Sequence, residues 1–176
     1  MAGQPLDPVA IVTDASRGVG RTIARRLARS GWAVVVVYLD DQLLAEATVE
    51  EILAGHGTAL AVRADVTDDL DVERLFTESR AVFDDVDVVV HTTGGSTAVV
   101  DRHAARQLRR GGAILGASRA GIPRAVVDVL RARDITIVGR PADAGPAGGH
   151  HDVVDVVDVV DVDDVVERLE RWRRRS

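Results

Sequence analysis

The chain has 176 residues, of which 46% are hydrophobic and 28% charged, and its 22 basic and 28 acidic side chains give a formal net charge of -6. That composition supplies one compact domain burying roughly 70% of its unfolded surface, is too apolar for disorder, and contains no run long enough to cross a bilayer. A net negative chain repels polyanions, and a chain without cysteine has no disulfide framework, thiolate zinc site or thiol nucleophile, so neither membrane, nucleic acid nor metal is an expected partner.

The chain opens on MAGQPLDP, which lacks the charged and apolar regions of a secretory leader, and a cytoplasmic location is expected. Apolar, β-branched runs at 9–13, 33–38, 58–62, 86–91, 113–117 and 135–138 predict six strands. Their lack of polar alternation suits strands covered on both faces, and each is followed by a segment able to cross over as a helix, so the pattern implies an α/β fold with a parallel sheet. The helix over 17–30 places Val19, Ile23 and Leu27 on one face and ends at Gly31. The helix over 69–83 carries Val72, Leu75, Phe76, Val82 and Phe83 at helical spacings, with Asp69, Asp71 and Glu73 near its positive end. Arg102, Arg106, Arg109 and Arg110 form a basic helical patch that reads as a solvated face balancing nearby acids rather than an anion site.

RPADAGPAGGH over 140–150 cannot continue a strand or helix and is expected to be a loop. Beyond it, Asp152, Asp155, Asp158, Asp161 and Asp164 recur every third residue, a period that slips back by about 60° per step on a helix. Carboxylates spread round a cylinder do not converge on one ion, and His150, His151 and Asp152 are neighbours on a loop, so neither tract is read as a metal site. A final helix is expected within 151–173, with Leu169 and Trp172 as its apolar edge.

Chemistry concentrates after the first strand, at Thr13-Asp14-Ala15-Ser16-Arg17-Gly18-Val19-Gly20, which opens the first helix. Glycines there let backbone approach a diphosphate, whose charge the free amides and dipole of the helix start stabilise. The segment resembles the T-G-x-x-x-G-x-G turn of the short-chain dehydrogenase/reductase family. The likeness runs over about 8–94, through the helix start Arg21 to Leu27, the strand VVVVY and Arg63-Ala64-Asp65-Val66-Thr67-Asp68. It implies an NAD(P) cofactor lying along Thr13, Asp14, Ser16, Arg17, Gly18, Val19 and Gly20. Tyr38 would be on the adenosine side, Asp65 and Val66 against the adenine, and Thr93 and Gly94 beside the nicotinamide half. The same resemblance implies a small carbonyl or alcohol substrate, with Ser118 holding its carbonyl, a serine that reads equally as a helix cap or turn residue; His91, at the end of the fourth strand, is a candidate proton donor, though a histidine there is more often a packed residue. From about 86 to 140 the chain also resembles the nucleotide domain of medium-chain dehydrogenase/quinone reductases, through Gly94-Gly95 and the Gly111-Gly112 pair before a strand. Both resemblances imply one three-layer Rossmann domain, a doubly wound parallel six-stranded sheet ordered 3-2-1-4-5-6, with ligand at the carboxyl ends of the first and fourth strands.

The departures are as informative. Asp14 stands where the short-chain family has the first glycine of its turn, adding a negative charge beside the expected diphosphate. Tyr38 replaces the acid that would bind the ribose of NAD, and Arg17 suits the extra phosphate of NADP, although Asp40 and Asp41 lie close by; the balance leans to NADP over NAD. The family's tyrosine and lysine pair has no counterpart, because lysine and asparagine are absent and Tyr38 is the single tyrosine. Loss of a positioned general acid typically removes about 10²- to 10⁴-fold of rate. Three readings stay open: an oxidoreductase with an atypical site, a dinucleotide- or partner-binding module without turnover, and a Rossmann shell whose phosphate site Asp14 has abolished. An oligomer is possible and is not assumed.

Overall fold

The computed structural model describes residues 7–92, 97–116, 124–138 and 162–174. Expectations for Thr93, Gly94, Ser118, the 140–150 loop and the tract up to Asp161 lie outside the described residues.

Six strands, β1 (Val9–Val12), β2 (Ala33–Tyr38), β3 (Thr58–Arg63), β4 (Val88–Val90), β5 (Ala113–Leu115) and β6 (Thr136–Val138), form one parallel sheet ordered β3-β2-β1-β4-β5-β6. Ile11 of β1 pairs with Val35 on one side and Val89 on the other, so the strand order reverses at β1. The helices are α1 (Gly18–Arg29), α2 (Gln42–Ala54), α3 (Asp69–Phe83), α4 (Ala98–Gln107), α5 (Arg124–Ala132) and α6 (Val162–Arg173). Strand periodicity divides the core between two layers. Val9 and Ile11 point to the layer holding Val72, Leu75 and Phe76 of α3, Ala104 of α4 and Leu130 of α5. Ala10 and Val12 point to the opposite layer, with Ile23 and Leu27 of α1, Ile52 of α2 and Leu169 of α6.

The ends of the helices follow from local chemistry. Asp68 caps α3, its carboxylate accepting from the amides of Leu70 at 3.0 Å and Asp71 at 2.9 Å. Beyond α1, Gly31 takes φ +80°, a left-handed conformation that costs glycine no clash, and its amide closes on the Ala28 carbonyl at 3.1 Å. Two expectations are corrected. Val82 is 57% exposed, whereas Ser79 is buried on the inner face of α3 and turns its hydroxyl back to the Leu75 carbonyl at 2.7 Å. Residues 72, 75, 76 and 79 make the inward stripe, and position 82 lies roughly 80° short of a full turn multiple from 72. The fourth and fifth strands are also shorter than the apolar runs suggested, β4 spanning Val88–Val90 and β5 Ala113–Leu115. The last helix bears out its predicted edge: Leu169 is fully buried, and Trp172 donates its indole N–H to the Gly111 carbonyl at 2.9 Å.

Candidate functional site

The reversal of strand order opens a crevice at the carboxyl ends of β1 and β4, and the turn after β1 is fastened to both sides of it. The Thr13 amide donates to Val90 O at 3.0 Å, the Thr92 amide to Thr13 Oγ1 at 3.2 Å, and the Thr92 hydroxyl to Thr13 O. On the other side the Ala15 amide reaches Val37 O of β2 at 2.9 Å. Within this pinned turn, a Cβ on Gly20 would overlap the carbonyl oxygen of Asp14, so the turn requires glycine there for close approach. Gly18, at φ +55°, has nothing within 4 Å of where a Cβ would stand, and that open space lies at the start of α1. Arg17, the residue before α1, makes no side-chain cap, and no acidic residue occupies the first turn, so the positive end of the helix is not neutralised from within.

A cleft of about 430 Å³ runs from this turn along the ends of β2 and β3. Thr13, Asp14, Ser16, Arg17, Tyr38, Asp65 and Val66 line it, all of them residues singled out in the sequence. Gly18, Val19 and Gly20 belong to the first turn of α1 and do not line it. Asp65 is held by its own loop: Oδ1 accepts from the Thr67 amide at 2.8 Å and the Thr67 hydroxyl at 2.6 Å. These bonds hold its carboxyl below the usual carboxylate range. Asp14 sits at φ +48°, a backbone region that disfavours side chains other than Asn and Asp. Partial burial pushes its carboxyl up; nearby Arg17 opposes that shift and Asp41 adds to it. Arg17 donates to Asp41 Oδ2 at 2.8 Å, and its Nε lies 3.9 Å from Asp14.

His91 is not part of the cleft lining. It is 3% exposed beneath α4, with Nε2 3.0 Å from Asp101 Oδ1, while Asp101 Oδ2 accepts the Thr97 hydroxyl at 2.8 Å. Asp101 and Thr97 were not singled out in the sequence, since a histidine and an aspartate ten residues apart on different elements make no periodic signal. The four arginines do not form one helical face, because α4 ends at Gln107 and Arg109 and Arg110 lie beyond it; they balance nearby acids, Arg102 pairing with Asp69, Arg109 with Asp87 at 3.3 Å and Arg110 with Asp134 at 3.3 Å. Among the described residues, no three His, Cys, Asp or Glu side chains group to hold a metal ion, and no helix is long and apolar enough to cross a membrane.

Residues 14–115 match a family model described as Enoyl-(Acyl carrier protein) reductase. That match reaches through β4, α4 and β5. A 3-oxoacyl-[acyl-carrier-protein] reductase of Synechocystis sp. is 42% identical over 86 residues, covering 49% of this chain and 35% of that protein. An uncharacterized oxidoreductase of Methylorubrum extorquens is 43% identical over 86 residues, with the same coverage of 49% and 35%. The chain thus matches about a third of the length of these curated relatives. Among solved structures, a dehydrogenase/reductase from Sinorhizobium meliloti aligns with TM-score 0.61 at 30% identity, covering 86% of this chain and 78% of the other. A short chain dehydrogenase from Burkholderia cenocepacia in complex with NADP aligns with TM-score 0.62 at 27% identity, covering 84% and 81%.

Proposed function

Because this chain belongs to the short-chain dehydrogenase/reductase family, we propose that it is an NAD(P)-binding protein of oxidoreductase type, acting on a small carbonyl or alcohol substrate without the family's tyrosine and lysine pair. The observation that carries this reading is the 430 Å³ cleft, within the roughly 300–1,000 Å³ usual for small-molecule sites and lined by seven of the residues expected to meet a dinucleotide. Ala64, Asp65 and Val66 are suited to the adenine and Tyr38 to the ribose, while the uncapped first turn of α1, with open space at Gly18, is suited to the diphosphate. Thr93 and Gly94 are assigned to the nicotinamide end and Ser118 to the substrate carbonyl on the family resemblance.

A bound nicotinamide supplies or accepts a hydride; this chain's residues bind the dinucleotide and orient it. Tyr38 lines the adenosine side of the cleft, and His91 is buried against Asp101, so neither is offered as the general acid. That observation favours a second reading, a dinucleotide-binding module without turnover. For the choice of cofactor, the exposed Arg17 guanidinium supports NADP and its pairing with Asp41 supports NAD.

Titration of the protein with NADH and NADPH, followed by fluorescence or heat, separates these readings. Saturable binding with turnover on carbonyl substrates supports the enzyme, binding without turnover supports the module, and no binding at millimolar cofactor rejects both. Asp14→Gly is the control. Removing a partly buried carboxylate from the diphosphate's path should tighten binding about tenfold or more, since two like charges a few ångströms apart cost roughly 1 to 4 kcal/mol at intermediate to high dielectric. Unchanged affinity would refute the assigned role of Asp14.

A further inference from the structure

We propose that Asp41, acting with Asp14, holds Arg17 as an internal counter-ion and sets the cleft to take NAD(H) and reject the 2′-phosphate of NADP(H). This rests on the dinucleotide reading and adds to it the residue that decides between the two cofactors.

Asp41 is the residue immediately before α2, where an aspartate ordinarily turns its carboxylate onto the amides of the first helical turn. Here it makes no such cap. Its carboxylate instead meets the Arg17 guanidinium at 2.8 Å, across 24 residues of sequence, and Asp14, three residues before Arg17 in the same turn, lies 3.9 Å from its Nε. The group that would recognise an added phosphate is therefore already engaged on two sides.

The strength of the ion pair is not what decides the matter. Arg17 is 64% exposed and Asp41 37%, and exposed pairs of this kind are individually weak. The balance of charge is what decides it. Asp14, Asp40, Asp41 and Asp65 all line the cleft, against Arg17 as the single cation among the described lining residues. A 2′-phosphate brings up to about two further negative charges, by the same titration as other phosphate monoesters. It must either displace Asp41 from Arg17, leaving that carboxylate unpaired beside it, or remain without a cation. A ribose hydroxyl meets neither difficulty, because it is neutral and donates a hydrogen bond to a carboxylate. Asp14 feels both charges: burial pushes its carboxyl up, Arg17 pulls it back down, and Asp41 adds a smaller upward push. Arg17 alone suggests NADP; Arg17 with its two acids favours NAD.

The test is a set of dissociation constants for NADH and NADPH, and for ADP-ribose and its 2′-phosphate, on the full chain and on Asp41→Asn and Asp41→Ser. Both variants keep a residue type suited to the start of a helix, and circular dichroism checks that the fold survives. The wild type should bind the ligands lacking the 2′-phosphate about tenfold or more tightly than those bearing it. Asp41→Asn should close that gap by about tenfold, almost wholly through tighter NADPH, and high salt should narrow it in the wild type. A wild type that prefers NADPH, or a gap that neither Asp41 variant moves, overturns the inference and leaves the dinucleotide reading standing. Should the wild type bind too weakly to titrate, the same ratios are read in an Asp14→Gly background. Absence of binding there as well removes the dinucleotide reading, and this inference with it.

Discussion

Asp87 lies just before β4 with its carboxylate buried, 3% exposed, accepting the Val9 amide at 2.8 Å and facing Arg109 at 3.3 Å. It ties the start of β1 to the approach of β4. Burial raises its carboxyl above the ordinary 3.8, against the opposing pull of the Val9 amide and of Arg109. A carboxyl whose folded value is raised favours the folded state fully below the unfolded value, and that contribution fades as pH rises through the folded value. Asp87→Asn keeps an acceptor for Val9 while removing the buried charge, so its stability at pH 7 should fall within about 1 kcal/mol of the wild type. Asp87→Ala strands the amide and should cost about 1–3 kcal/mol. Urea unfolding from pH 4 to 7 checks both, and the asparagine variant should gain on the wild type as pH rises; a widening deficit would show that the pair with Arg109 outweighs burial. At this scale the sequence disclosed a residue where it broke a pattern. Asp14 was visible because it interrupts a glycine turn, whereas Asp87, Asp101 and Thr97 act through partners that only folding brings near.

Elements meet through contacts of the same kind. Asp69 begins α3, and Arg102 and His103 of α4 both reach its carboxylate, His103 Nε2 at 2.9 Å, while the His103 ring stacks on Phe76 with centroids 6.5 Å apart. The hydrogen bond from His103, then that from Arg102, holds the Asp69 carboxyl below the ordinary 3.8. For a depressed carboxyl the stabilising contribution is present above the unfolded value and is lost as pH falls through the folded one. Asp69→Asn should therefore have a lower urea midpoint than the wild type at pH 6, and the difference should shrink at pH 3. An equal difference at the two pH values would falsify the clasp as an electrostatic contact. The helix over 69–83 was legible from its apolar stripe, Val72, Leu75 and Phe76, with acids at its start, whereas the Asp68 cap was not read from the sequence. The stripe was drawn too wide at Val82, because spacing alone does not say which side of a two-turn window faces the sheet, and Ser79 occupies the inner side by bonding its own backbone.

Over the whole molecule, the Val-rich runs carried the fold: strands covered on both faces need no polar alternation, and β1, β2 and β4 have every residue buried apart from Tyr38. The order of the strands was not readable from those runs and came from the two family resemblances. That order then put the ligand crevice where β1 meets β4. One property of the sheet remains to be tested, namely that its two layers act as one cooperative unit. Leu75 is fully buried in the layer with α3, α4 and α5, whereas Trp32 and Trp172, the two tryptophans of the chain, lie in the opposite layer with ring centroids 6.0 Å apart. Leu75→Ala removes buried methyl groups far from both indoles and should cost about 2–5 kcal/mol. Since each of β1, β2 and β4 sends alternate residues into both layers, loss of one layer exposes the other. Tryptophan fluorescence and far-ultraviolet circular dichroism should therefore fall to the same lower denaturant midpoint, with no change in slope. A fluorescence midpoint left in place while the dichroism signal splits into two steps would mean that the layers unfold separately and that the single-domain expectation fails.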